Sequence, residues 1–356
     1  MKKHNFNSGP SILPQEVLEQ ASQAILNFNN IGLSLLEIGH RTSWFLEVID
    51  EAKALVKELM NLNDDYEVLF LHGGATTQFM QVPMNLLNVH DTAAYCDDGI
   101  WGHKAIQEAA LFGKLHIAAS SKDRNYTYIN KEYSIPSHSK YLHITTNNTV
   151  EGTQWHQFPK TTVPLVADMS SDIFSRNLNF NQFSLIYAGA QKNMGAAGVN
   201  VVVVKKSLLQ NLEKPIPAIL DYRNHIKANS VLNTPPVFAI YVSLLTLRWI
   251  KKEGGLDEME KRNNRKANLL YQTIDSLPLF HCPINKEDRS KMNAVFFIKD
   301  EAIQNEFLET CKENGMVGVK GYRTVGGIRV SMYNALPYKS VEAFCDVAKD
   351  FSNKRG

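Results

Sequence analysis

Leu185-Ile186-Tyr187-Ala188-Gly189-Ala190-Gln191-Lys192-Asn193 is the stretch from which the rest of the chain is best read. Its opening residues are apolar or aromatic and read as a buried strand. The strand delivers one lysine into a turn of small residues, with Gly195 and Gly198 just beyond. Small residues on both sides let a planar ligand approach the backbone. A lysine amine in a partly desolvated crevice sheds its proton more readily than one in water and can form a Schiff base. The plainer alternative is a surface lysine in a loop, but a solvated loop does not need this many small residues.

Working outward toward the N-terminus, Val163-Pro164-Leu165-Val166-Ala167-Asp168-Met169-Ser170-Ser171 ends another apolar strand on a carboxylate. In a parallel sheet Asp168 and Lys192 fall on the same edge. A carboxylate there can keep a heteroaromatic nitrogen protonated. An aspartate after a strand also caps helices, and that alternative stays open here. His72-Gly73-Gly74-Ala75-Thr76-Thr77-Gln78-Phe79 places glycines and hydroxyls between a strand and a helix, a cup for an anion or a plain turn. It matches neither the dinucleotide nor the P-loop pattern. Trp101, in Asp97-Asp98-Gly99-Ile100-Trp101-Gly102, follows a strand and suits either stacking on a flat ring or the core. His40-Arg41 and Gly326-Gly327-Ile328-Arg329 present two arginines from distant parts of the chain. Together they suit a substrate with two anionic groups; singly, each reads as a surface ion pair.

The spacing predicts strands near 68–71, 92–96, 115–119, 141–145, 165–168, 185–188 and 199–204. Helices are predicted at about 43–60, from Thr77, over 101–112 and over 237–253. Apolar strands alternating with helices argue for an α/β fold with a largely parallel sheet covered on both faces, its ligands beyond the carboxyl ends of the strands. After Gly254-Gly255 come helices at 257–275, 301–314 and 338–352 and strands at 294–298 and 328–332, so a boundary is expected near Gly255. The chain has 356 residues, room for two domains.

Lys+Arg 38 against Asp+Glu 36 leaves a charge of +2, which gives no general attraction for nucleic acid or anionic lipid. Four cysteines at 96, 282, 311 and 345 form no metal-binding cluster, and a reduced cytoplasmic protein without a metal is expected. Residues 1–7 carry no apolar run behind their lysines, so no signal peptide is expected. The longest apolar run, near 196–204, is far too short to span a bilayer.

Taken together, these segments resemble the phosphoserine aminotransferase family, pyridoxal-phosphate enzymes of the aspartate-aminotransferase fold. The likeness runs from Asn5-Phe6-Asn7-Ser8-Gly9-Pro10 through Gly39-His40-Arg41, His72-Gly73-Gly74, Asp168-Met169-Ser170-Ser171 and the Lys192 segment. It continues in Asn233-Thr234-Pro235-Pro236, Arg289-Ser290-Lys291-Met292-Asn293 and Gly326-Gly327-Ile328-Arg329-Val330-Ser331. The resemblance implies fold type I, a large domain over 16–255 with a mostly parallel seven-stranded sheet. It also implies a smaller α+β domain over 256–356 and an N-terminal segment, 1–15, packed with the latter.

The resemblance also implies roles. Lys192 would carry pyridoxal 5'-phosphate as a Schiff base, Asp168 would pair with its ring nitrogen, Trp101 would stack on the ring and Thr149 would bond the ring hydroxyl. Ala75, Thr76 and Gln191 would hold the cofactor phosphate, and Asn233 and Thr234 would reach it from the partner in a homodimer with shared active sites. Arg329 would grip the substrate α-carboxylate, with His40 and Arg41 at the substrate's other anionic group. Two positions depart from the family pattern. Many bacterial relatives have arginine at Thr76, and often histidine at Tyr322. Both belong to the expected substrate-phosphate region, where Tyr322 and Arg323 are expected to bind substrate and where Arg323, Lys320 or a partner residue would have to compensate for the lost cationic groups. The implied reaction is amino transfer between L-glutamate and 3-phosphohydroxypyruvate, in serine biosynthesis, with a role in pyridoxine biosynthesis left open. The rivals are an alanine–glyoxylate-type aminotransferase, a cysteine desulfurase and a non-catalytic cofactor-binding regulator. The desulfurase needs a low-pKa thiol, for which Cys282 and Cys311 lack basic surroundings. The regulator needs a DNA-binding domain, for which there is no basic recognition helix.

Overall fold

A computed structural model describes residues 3–209 and 212–355; residues 1–2 of the expected N-terminal segment and residue 356 of the expected C-terminal domain lie outside them. In chain order the strands are β1 His4–Asn5, β2 Tyr66–His72, β3 Thr92–Asp97, β4 Lys114–Ser120, β5 Leu142–Thr145 and β6 Leu165–Asp168. They continue with β7 Leu185–Gly189, β8 Val199–Lys205, β9 Phe280–His281, β10 Asn293–Ile298, β11 Met316–Val317 and β12 Ile328–Ser331. The helices are α1 Gln15–Leu26, α2 Ser43–Leu59, α3 Ala75–Leu86, α4 Ile100–Ala109, α5 Tyr222–Lys227, α6 Val237–Lys252, α7 Gly255–Ser276, α8 Glu301–Glu313 and α9 Tyr338–Asn353.

Seven strands form one sheet in the order β2-β8-β7-β6-β5-β3-β4. Only β8 runs against its neighbours, antiparallel to both β2 and β7. The sheet is therefore mostly parallel, and its middle strands are apolar end to end because both faces are covered. One face packs on α2 and α6 through Phe45, Ile49, Val56, Ile240 and Leu244. The other packs on α3 and α4 through Phe79, Val82, Ala105 and Ala109.

A separate core joins Phe6, Ala267, Leu270, Phe296, Phe307, Val330 and Phe344. It holds the antiparallel sheet β12-β10-β9, and β1 pairs in parallel with β11 beside it. Helix α7 straddles the two cores: Leu256 and Met259 lie in the first, Ala267, Leu270 and Ile274 in the second. The two cores thus meet along α7. Helix α3 begins two residues before the expected Thr77, because Gly73 at φ +95° turns the chain early. Helix α4 stops at Ala109, short of the expected 112. Among the described residues no helix is long and apolar enough to cross a membrane.

Candidate active site

Parallel strands ending on one edge of the large sheet supply the site. Strand β2 leads through Gly73 into α3, whose N-cap Gly74 offers no side-chain cap. A helix start leaves its first N–H groups without intrahelical carbonyls, and Gly74, Ala75 and Thr76 all line the cavity there. Strand β3 leads into α4, which sets Trp101 on the wall, 6.5 Å from Phe79 and with Lys104 Nζ 4.6 Å from its ring centre.

Strand β6 ends on buried Asp168, whose Oδ1 accepts the Ser170 N–H at 2.9 Å. Burial pushes this carboxyl above its ordinary range, while the Ser170 bonds and the Lys192 charge pull the other way. Strand β7 ends at Gly189 and releases Lys192 three residues later. The Lys192 amine donates to Thr149 Oγ1 at 2.7 Å and to Ser171 Oγ at 2.8 Å. The two hydroxyls also bond each other. Burial lowers the amine to about 8, Arg329 acts in the same direction, and Asp168 and Asp172 oppose.

The far wall comes from outside the large sheet. Arg329 on β12 donates from Nη2 to Ser8 Oγ at 2.8 Å and, among the described residues, has no ion-pair partner. Its guanidinium is therefore available to an incoming carboxylate. Ser8 belongs to a strap that continues through Gly9, at φ +145° and with its Cα against Lys192: a Cβ there would lie 3.3 Å from Lys192 Cγ. The Ser11 hydroxyl then bonds the Lys192 carbonyl. The cavity is about 300 Å³.

Of the residues expected from the sequence, Ala75, Thr76, Trp101, Thr149, Asp168, Gln191, Lys192, Tyr322 and Arg329 line this cavity. His40, Arg41, Asn233, Thr234 and Arg323 do not. A turn in which the Val325 and Gly326 N–H groups meet the Tyr322 carbonyl leaves Tyr322 facing the cavity and Arg323 exposed. Thr234 is exposed, and its carbonyl bonds His72 Nε2 at 2.6 Å. Sequence reasoning missed Ser8, Gly9, Asn147, Ser170 and Ser171 as lining residues. The two serines adjoin Asp168 and were within reach; Ser8 carries no local signal for an arginine 321 positions away. Burial raises all four cysteine thiols, Cys311 to about 12, so none is an activated thiolate.

The chain matches the family model described as aminotransferase class-V over residues 3–344. It is 55% identical over 355 residues to a phosphoserine aminotransferase of Flavobacterium johnsoniae, covering 99% of this chain and 100% of that one. A solved phosphoserine aminotransferase from Bacillus circulans subsp. alkalophilus superposes with TM-score 0.97 at 43% identity, covering 100% of this chain and 99% of that one. A solved pyridoxal-phosphate-bound phosphoserine aminotransferase from Trichomonas vaginalis does so at 0.93 and 34% identity, covering 98% and 100%.

Proposed function

The chain belongs to the class-V aminotransferases and, within them, to the phosphoserine aminotransferases, and from that premise we infer its reaction. It is a pyridoxal-phosphate-dependent transaminase that moves the amino group of L-glutamate reversibly onto 3-phosphohydroxypyruvate. The products are 2-oxoglutarate and O-phospho-L-serine. The observation that carries this reading is the Lys192 amine, held by two hydroxyls beside Asp168 in a cavity that Arg329 closes.

The residues present fit the cofactor. An uncapped helix start suits its phosphate, the Trp101 indole its ring, and Asp168 its ring nitrogen. Trp101 Nε1 and Thr145 Oγ1 are buried in this wall without protein partners, as expected of a lining made for a polar occupant. On this reading Ala75, Thr76 and Gln191 hold the phosphate and Thr149 bonds the ring hydroxyl. When bound, the cofactor supplies the aldehyde that takes up the amino group and the ring that accepts an electron pair. Asp168 keeps a proton at the ring nitrogen. Lys192, with an amine that ionises near pH 8, moves the substrate α-proton as general base, and Thr149 and Ser171 hold its Nζ within reach. Arg329 orients the α-carboxylate that donor and acceptor share. One site thus serves both half-reactions, and ping-pong kinetics follow.

We also propose that the site is completed in a homodimer. His40, Arg41, Asn233 and Thr234 stand outside the cavity of their own chain, which supports their serving a second copy. Leu33, Leu36 and Trp44, all exposed, flank His40-Arg41 and suit an interface. The division into a large unit, a C-terminal unit and an N-terminal strap is our reading of the two separate cores. Steady-state assays with L-glutamate and 3-phosphohydroxypyruvate test the function. Formation of phosphoserine with parallel double-reciprocal lines is expected; turnover of glyoxylate without turnover of the phosphorylated keto acid would overturn the assignment.

A further inference from the structure

Glu151 has no role in the chemistry above, yet it is buried at 7% exposure between two elements that flank the cofactor ring. Its Oε1 accepts the backbone N–H of Ile100 at 2.8 Å. Ile100 opens α4, one residue before Trp101, and the N-cap Gly99 supplies no side-chain cap. Glu151 itself lies two residues after Thr149, in a turn closed by the Gly152 N–H to Asn148 carbonyl bond at 2.8 Å. The two elements are pressed together: a Cβ on Gly99 would collide with the Asn148 side chain and lie 3.0 Å from Glu151 Oε2. A first-turn N–H has no carbonyl of its own helix, and a carboxylate is the acceptor that the positive end of the helix favours.

The charged surroundings of Glu151 are limited. Asp97 ends β3 and Asp98 follows it, His103 stands on α4 and Tyr126 across the adjoining cleft, and Arg329 lies on β12. Asp98 is engaged by the Trp155 indole N–H, and Asp97 by the Tyr126 hydroxyl at 3.2 Å and His103 Nδ1 at 3.4 Å. Glu151 and Arg329 form no direct ion pair, but each favours the charged form of the other.

We propose that Glu151 is a positioning residue of the transamination site. Its carboxylate fixes the Trp101 turn against the Thr149 turn and tempers the pull of Arg329 on the substrate carboxylate. The proposal rests on the reading that Trp101, Thr149 and Arg329 touch cofactor and substrate. An ionised Glu151 opposes an anion arriving at Arg329; a neutral one does not. Burial raises its carboxyl to about 7, with Asp97 adding to the rise and the Ile100 bond and Arg329 opposing it. Its charge therefore appears as pH climbs through neutrality, and KM for glutamate rises with it.

Two holoenzyme variants separate the two duties. Glu151→Gln keeps an acceptor for Ile100 and removes the charge. Between about pH 6 and pH 8.5 the parent KM for glutamate is expected to rise roughly 3- to 10-fold more than that of Glu151→Gln. Glu151→Ala leaves the Ile100 N–H unmet and should weaken retention of pyridoxal phosphate about 10-fold, read by tryptophan fluorescence during cofactor titration. Asp98→Asn should move the rise in KM to lower pH without removing it, because the Asp98 and Glu151 charges disfavour each other. The proposal falls if the Glu151→Gln profile superimposes on the parent's, if Glu151→Ala retains cofactor as the parent does, or if Asp98→Asn removes the rise. Should Glu151→Ala not fold, the Glu151→Gln profile decides alone. A parent that neither binds the cofactor nor transaminates would overturn the underlying reading, and this proposal with it.

Discussion

Lys192 and Lys266 occupy regions that burial treats alike: the first lies at the carboxyl edge of the large sheet, the second midway along α7 where the two cores meet. Desolvation is the leading cause in both, lowering Lys192 to about 8 and Lys266 to about 7. Their partners differ. Lys266 Nζ donates to the carbonyls of Met332 at 3.0 Å and Tyr333 at 2.6 Å, in packed protein. Lys192 Nζ is held by two hydroxyls, with a carboxylate on the neighbouring strand and an open cavity in front. Backbone carbonyls tie an amine into the structure; hydroxyls can hand it over to a reacting carbon. A weakened amine therefore does not mark a catalytic site unless space and an opposing charge accompany it.

That contrast can be broken in stages. Lys192→Ala should lower kcat by at least about 10²- to 10⁴-fold and remove the visible absorption of the bound cofactor. Turnover at the parent rate would end the role of Lys192. Arg329→Ala removes a charge-assisted grip and should raise KM for both glutamate and the phosphorylated keto acid by about 10- to 100-fold. Damage to one substrate alone would contradict a shared α-carboxylate site. The capture of pyridoxal phosphate by the apoenzyme depends on the neutral amine. Since burial lowers Lys192 to about 8, the capture rate should rise roughly 10-fold from pH 7 and level off above pH 8. A rise centred near the ordinary lysine value would mean a solvated amine. Lys266→Met is the smallest effect on chemistry: kcat should stay within about 2-fold of the parent. It should nonetheless lower stability by about 1–3 kcal/mol, because the Met332 carbonyl loses its donor and the Tyr333 carbonyl keeps only the Leu336 N–H. Thermal denaturation measures it.

The Lys192 edge was legible because its information is local. Apolar strands and small residues mark where Asp168, Trp101 and Lys192 emerge, and a parallel sheet brings strand ends together. The orientation of β8 was not legible, since a run of valines is the same in either direction. Nor were Ser8 and Glu151, whose importance arises from contacts with Arg329 and Ile100 that no spacing encodes. Nor could spacing tell that the turn after Tyr322 leaves Arg323 exposed and outside the cavity of its own chain.

Reductive trapping tests the central claim most directly. The holoenzyme is treated with borohydride, digested, and the peptide bearing the reduced pyridoxyl group is identified by mass spectrometry. The account predicts the label on the peptide containing Lys192, and no label in Lys192→Ala. A label on Lys266, or on any other lysine, would contradict it.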